Sequence, residues 1–94
     1  MELFKSTPEL YFNNLPNFGY KTNFMYDNLC LSEEYKGFKV AYIDENKSST
    51  KGTLLFIHGY PTWSFLWRHL ISNPVTKEYR IVALDLPGFG KSDK

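Results

Sequence analysis

Thr53–Arg68, TLLFIHGYPTWSFLWR, is the stretch whose reading decides the fold. Leu54, Leu55, Phe56 and Ile57 form an unbroken apolar block of strand-forming residues, which suits a strand of a parallel sheet covered on both faces. His58 and Gly59 break it. From Trp63 the period changes, because Trp63, Leu66, Trp67, Leu70 and Ile71 stand at i, i+3, i+4, i+7 and i+8, the spacing of one helical stripe. A strand, a tight turn and a helix in close succession open a βαβ unit. In such sheets ligands bind at the carboxyl ends of the strands.

Downstream, Asn73-Pro74 stops the helical pattern, since the residue before a proline is pushed out of the α region. Arg80–Leu86, RIVALDL, then reads as a second buried strand, parallel to the first through a right-handed crossover. Upstream, Phe38, Val40 and Tyr42 alternate with Lys39, Ala41 and Ile43, the period-2 signature of a half-buried antiparallel strand. Lys21–Leu31, carrying Phe24, Tyr26 and Leu29, reads as its partner, and Glu33–Gly37 as the hairpin loop between them. Asn46–Gly52 is a polar loop in which Asn46 tolerates a left-handed backbone. Its Asn46-Lys47-Ser48 matches a glycosylation sequon, a match without weight in the absence of a secretory signal. Met1–Tyr20, with Pro8, Pro16, Gly19 and three asparagines, favours turns over regular structure and is expected to wrap the sheet edge.

Composition narrows the partners. Charged residues make up 22% of the chain and the formal net charge is +1, with no basic cluster, so neither nucleic acid nor an anionic membrane is expected as a partner. A small neutral molecule fits better. Cys30 is the only cysteine, which excludes an intrachain disulfide and agrees with a reducing compartment. Met1–Leu10 has no apolar signal core, and no apolar run approaches the ~20 residues of a membrane span. The expected location is the cytoplasm.

The turn itself carries a family resemblance. His58-Gly59-Tyr60-Pro61 resembles the oxyanion-hole turn of the α/β-hydrolases, where a backbone N–H after the third strand stabilises negative charge on a reaction intermediate. HGYPTWSFLWR followed by IVALDLPGFGKSDK is similar to the haloalkane dehalogenases, and Thr7-Pro8-Glu9 through Tyr42-Ile43-Asp44-Glu45 to the branch with an extended N-terminal hairpin. The resemblance implies an N-terminal portion of an α/β-hydrolase domain, an antiparallel hairpin leading into a parallel βαβ unit. It implies one domain over 1–94, incomplete at 94 residues, since such a domain needs well over twice that length. A fragment of this kind is expected to self-associate. Epoxide hydrolases share the logic but usually place Glu after His-Gly-x-Pro, and Thr62 favours the dehalogenases.

Site assignments follow from the same resemblance. Tyr60 supplies the oxyanion-hole N–H, with Gly59 and Pro61 shaping a fixed, cis-compatible turn and His58 supporting the loop rather than serving as the catalytic base. The family often has Asn or Glu at position 60, lining the halide site, and Tyr60 departs from that. Tyr60 and Trp63 are the candidate substrate-lining residues. Read from periodicity alone, Trp63 and Trp67 cover the sheet and His69 lies on the helix surface. No metal and no cofactor is implied, and the substrate class is a haloalkane or an epoxide. Neither a Gly-x-Ser-x-Gly elbow nor an equivalent Asp elbow occurs in the sequence, so nucleophile, acid and base are not among these residues. A competing function arises from Asp85–Ser92, DLPGFGKS, whose Gly-Lys-Ser fits a phosphate-binding loop. Asp85 stands where such a loop needs its first Gly, a carboxylate that repels phosphate, and Pro87 removes an N–H donor. The hydrolase reading instead has Asp85 and Ser92 holding the loop's shape. A third reading is a non-catalytic truncated product.

Overall fold

Ile81 and Ala83 are only 2% and 0% exposed, and the strand carrying them takes an interior place in the sheet. In the computed structural model, residues 4–26 and 37–94 are described. Four strands form one mixed sheet in the order β1-β2-β4-β3: β1 (Asn23–Tyr26), β2 (Lys39–Glu45), β3 (Thr53–Ile57) and β4 (Arg80–Leu84). β3 and β4 run parallel, with Leu54 opposite Ile81 and Phe56 opposite Ala83. β2 pairs antiparallel with both β4 and β1. This is the hairpin-then-βαβ arrangement expected of the leading portion of an α/β-hydrolase fold.

The alternation in β2 holds, with Ala41 and Ile43 buried and Val40 and Tyr42 half-buried. Other local readings need correction. After β3 the chain begins as a 3-10 helix, Ser64–Trp67, and only then becomes α1, Arg68–Ile71. Its tighter first turn, with ~3.0 residues against 3.6, shifts the phase. Ser64 and Ile71 are therefore buried, while Leu66 and Leu70, assigned to the inner stripe by periodicity, are 50% and 39% exposed. Finally, residues 4–20 do more than wrap an edge: Phe18 joins Ile43, Ile71, Ile81 and Ala83 in the core, and its ring meets those of Trp63 and Phe65 edge-on. One 3-10 turn, Glu9–Phe12, interrupts this segment, and Asn14 and Asn17 take positive φ. The first strand is shorter than Lys21–Leu31; Leu29, Cys30 and Glu33–Lys36 lie outside the described residues. β4 likewise ends at Leu84.

On the other face, Arg80 makes a bidentate pair with Asp44, Nε to Oδ1 at 2.9 Å and NH2 to Oδ2 at 2.7 Å. Arg80's hydrogen bonds hold the Asp44 carboxyl below the usual carboxylate range against the opposing effect of burial. The Asn46–Gly52 loop is tied down in turn. Asn46, at φ 60°, donates its amide to the carbonyls of Lys77 and Tyr79.

β3 is one of the two edge strands of the sheet, and Leu55 and Ile57 on its uncovered face are 56% and 54% exposed. The strand TLLFI carries no charge and no proline, the devices that keep edges from pairing with other chains. Polypeptide 1–94 in isolation should therefore associate in dilute solution, with Leu55→Lys shifting sedimentation-velocity profiles toward monomer. A monomeric, cooperatively unfolding wild-type 1–94 would contradict this.

Candidate active-site turn

β3 ends at Ile57, and the parallel β4 at Leu84, so His58 and Asp85 emerge from the same end of neighbouring strands. His58 is 3% exposed and uses both ring nitrogens. Nε2 accepts the Leu86 N–H at 2.9 Å, which places the ring proton on Nδ1, and Nδ1 then donates to the Gly59 carbonyl at 3.1 Å. One imidazole thus fastens the turn after β3 to the loop after β4. The next three residues close a turn of their own, in which Thr62 N donates to Gly59 O at 2.9 Å and the Thr62 hydroxyl donates to the same carbonyl. The Tyr60-Pro61 peptide is cis. Among the described residues no acceptor engages the Tyr60 N–H.

Beneath the turn sits Asp85, 1% exposed. Its Oδ1 accepts Ser64 N at 2.6 Å and its Oδ2 accepts Lys91 N at 2.9 Å. The helix after β3 is therefore capped from another element, since its own N-cap residue, Trp63, makes no side-chain cap bond. Ser92 completes the lock, its hydroxyl donating to Asp85 O while accepting Ala41 N at 2.8 Å. Asp85 and Ser92 thus hold the loop's shape, as expected of them. The same bonds leave no phosphate cradle, because the N–H groups of Gly88, Phe89, Lys91 and Ser92 are already spent on Asp93 O, Leu86 O, Asp85 Oδ2 and Phe89 O.

The structure brings His58, Gly59, Tyr60 and Pro61 together at one strand end, with Tyr60 87% exposed. Trp63 stands somewhat apart. Its ring stacks on Phe65 at 5.5 Å and touches Phe12 and Phe18, and it also borders a cavity of about 280 Å³ with Pro61, Thr62 and Leu66. His69 is exposed on the helix. Sequence reasoning missed Phe89, whose ring meets His58 edge-on at 5.5 Å and Tyr60 at 5.8 Å, wedging the turn from below. The only signal was an aromatic inside the glycine-rich PGFG.

Residues 52–94 match the family described as alpha/beta hydrolase fold. A haloalkane dehalogenase from Psychrobacter cryohalolentis is 35% identical over 88 residues, 94% of this chain and 28% of that protein. A cis-3-alkyl-4-alkyloxetan-2-one decarboxylase from Xanthomonas campestris is 40% identical over 58 residues, 62% of this chain and 19% of that protein. Among solved structures, the tetrameric haloalkane dehalogenase DpaA from Paraglaciecola agarilytica superposes with a TM-score of 0.82 at 42% identity, over 97% of this chain and 29% of that one. The chain therefore spans less than a third of the length of these relatives. Among the described residues no helix is long and apolar enough to cross a membrane.

Proposed function

We propose that this chain, which belongs to the α/β-hydrolase superfamily, carries the oxyanion-hole turn of a haloalkane dehalogenase-like hydrolase. The observation that carries the reading is the Tyr60 N–H, left without an acceptor on a backbone fixed on one side by His58 to Leu86 and on the other by Thr62 to Gly59. Likeness to the decarboxylase reaches 62% of the chain, whereas likeness to the Psychrobacter dehalogenase extends through the N-terminal segment to 94%, which favours dehalogenation.

In this reading a carboxylate outside the 94 residues attacks the alkyl carbon and the halide leaves with the bonding electrons, giving an alkyl ester. Water, deprotonated by a base also outside these residues, then attacks the ester carbonyl. The Tyr60 N–H faces the oxygen that turns negative, and collapse of the intermediate releases the alcohol and regenerates the carboxylate. A donor already aimed costs no reorganisation as the charge develops. The exposed ring of Tyr60, and Trp63 through the cavity it shares with Pro61, form the substrate-facing surface. The substrate is a small haloalkane and no cofactor takes part.

Three outcomes test this. The protein at its native length should release halide from a short bromoalkane, and purified 1–94 should release none above the buffer rate, since absence of a single member of such a catalytic set costs orders of magnitude. Tyr60→Phe should keep near-normal turnover, because the N–H and not the hydroxyl is used. Failure of the native-length protein to release halide would sink the assignment.

A further inference from the structure

A second concavity, of about 640 Å³, opens between the N-terminal segment and β1, sharing no lining residue with the His58–Thr62 turn. Its size falls within the range of small-molecule sites. Phe12, Tyr20 and Phe24 form its apolar walls, and Lys39, Lys91 and Glu9 its charged groups. Two ammonium groups less one carboxylate leave one positive charge on the lining. Lys91 Nζ donates to Thr22 Oγ1 at 2.8 Å and lies over the rings of Phe12 and Phe18 at 5.4 and 5.5 Å. Lys39 Nζ sits over the Phe24 ring at 4.7 Å. Among the described residues neither ammonium has a carboxylate within ion-pair distance.

Such an arrangement is incomplete as a structural device. Both ammonium groups are half-buried, and ring faces compensate only part of the hydration that a cation loses there. Burial accordingly pushes the Lys91 ammonium's pKa down, with Asp85 and Glu9 pulling it partly back. Asp85 accepts the backbone N–H groups of Ser64 and Lys91, and its carboxylate lies beyond ion-pair distance of the Lys91 ammonium. Asp93, below the cavity, is held by the Ser6 hydroxyl and Lys39 N.

We propose that this cavity binds a small organic monocarboxylate with a flat apolar body, its anion taken by Lys39 and Lys91 and its body lying against Phe12, Tyr20 and Phe24. One net positive charge suits one carboxylate, and Glu9 disfavours a dianion such as phosphate. The flat body follows from three aromatic walls, which present ring faces and edges rather than further hydrogen-bonding groups.

Calorimetric titration of the native-length protein with 2-naphthoate and its neutral analogue 2-naphthamide tests the proposal independently of any turnover. Saturable binding of 2-naphthoate is expected, with the amide at least ~10-fold weaker, the scale of a lost charge-assisted contact. Lys91→Met and Lys39→Met should each weaken the acid by roughly tenfold and leave the amide unchanged. Phe24→Ala should weaken both, and because Phe24 is 38% exposed this variant and Lys39→Met remain testable should Lys91→Met fail to fold by circular dichroism. Equal binding of acid and amide, binding indifferent to Lys39→Met and Phe24→Ala, acetate as tight as 2-naphthoate, or no heat at millimolar ligand would each overturn it.

Discussion

Gly90→Ala should destabilise the native-length protein by about 3 kcal/mol or more, combining the ~1–2 kcal/mol of a left-handed L-residue with the ~1–3 kcal/mol of overpacking. Gly90 stands at φ +54°, and a Cβ built there would lie 2.5 Å from Asp85 Oδ2, 2.7 Å from Asp85 Cγ and 2.8 Å from Trp63 Cβ. None of these atoms can yield freely. Moving the carboxylate breaks the bonds to Ser64 N and Lys91 N, and moving Trp63 disturbs the rings of Phe12, Phe18 and Phe65. Gly88 provides the control, since its φ is +90° but nothing lies within 4 Å of its added Cβ. Gly88→Ala should show the backbone cost alone. Urea unfolding of the two variants separates the contributions, and equal midpoints would remove the steric argument.

His58→Ala is the second large effect, this time on rate. The substitution frees the Leu86 N–H and removes one of the three donors on the Gly59 carbonyl, so the turn loses its tie to the loop after β4 and, on the proposed oxyanion role, Tyr60 loses its aim. Turnover should fall by roughly 10²–10³, the scale set by deleting one oxyanion donor. A fall of that size would also follow were His58 a catalytic base, and the discriminating variant is His58→Gln. The amide oxygen of Gln accepts the Leu86 N–H but cannot serve as a base, so most of the lost rate should return. Steady-state halide release from a short bromoalkane reads both variants, and a Gln variant as slow as the Ala variant would defeat the supporting role.

The architecture was largely legible because its signals were local. Continuous apolar runs at Leu54–Ile57 and Ile81–Leu84, followed by Gly and Pro, marked two parallel strands, although the cover expected on both faces is missing over Leu55 and Ile57. What escaped depended on tertiary reach. The phase of the helix was misjudged because Asp85, twenty-one positions downstream, caps Ser64, and the chain enters α1 through a 3-10 turn. Period alone does not reveal such a cap. Phe18 looked like a residue of an irregular leader and is a core residue, since turn-forming neighbours say where the backbone bends and nothing about where a ring goes. For the turn, HGYP was visible as a string, but the role of Phe89 beneath His58 and Tyr60 depends on packing between two loops that sequence does not align.

Lys5 and Lys94 exchange reciprocal backbone bonds at 2.6 and 2.7 Å, and the Ser6 hydroxyl reaches Asp93 across 87 positions of sequence. During synthesis these partners are born far apart in time. At ~5–20 residues per second, Ser6 waits about 4 to 17 s before Asp93 is even translated. Until Lys91 is made, Phe12 and Phe18 have no loop after β4 to close over them and no ammonium to sit on their rings. Residues 5 and 6 thus find their backbone and hydroxyl partners only once residues 93 and 94 exist. A nascent-chain protease assay should show residues 4–20 cleavable until residues 91–94 emerge, and protected afterwards.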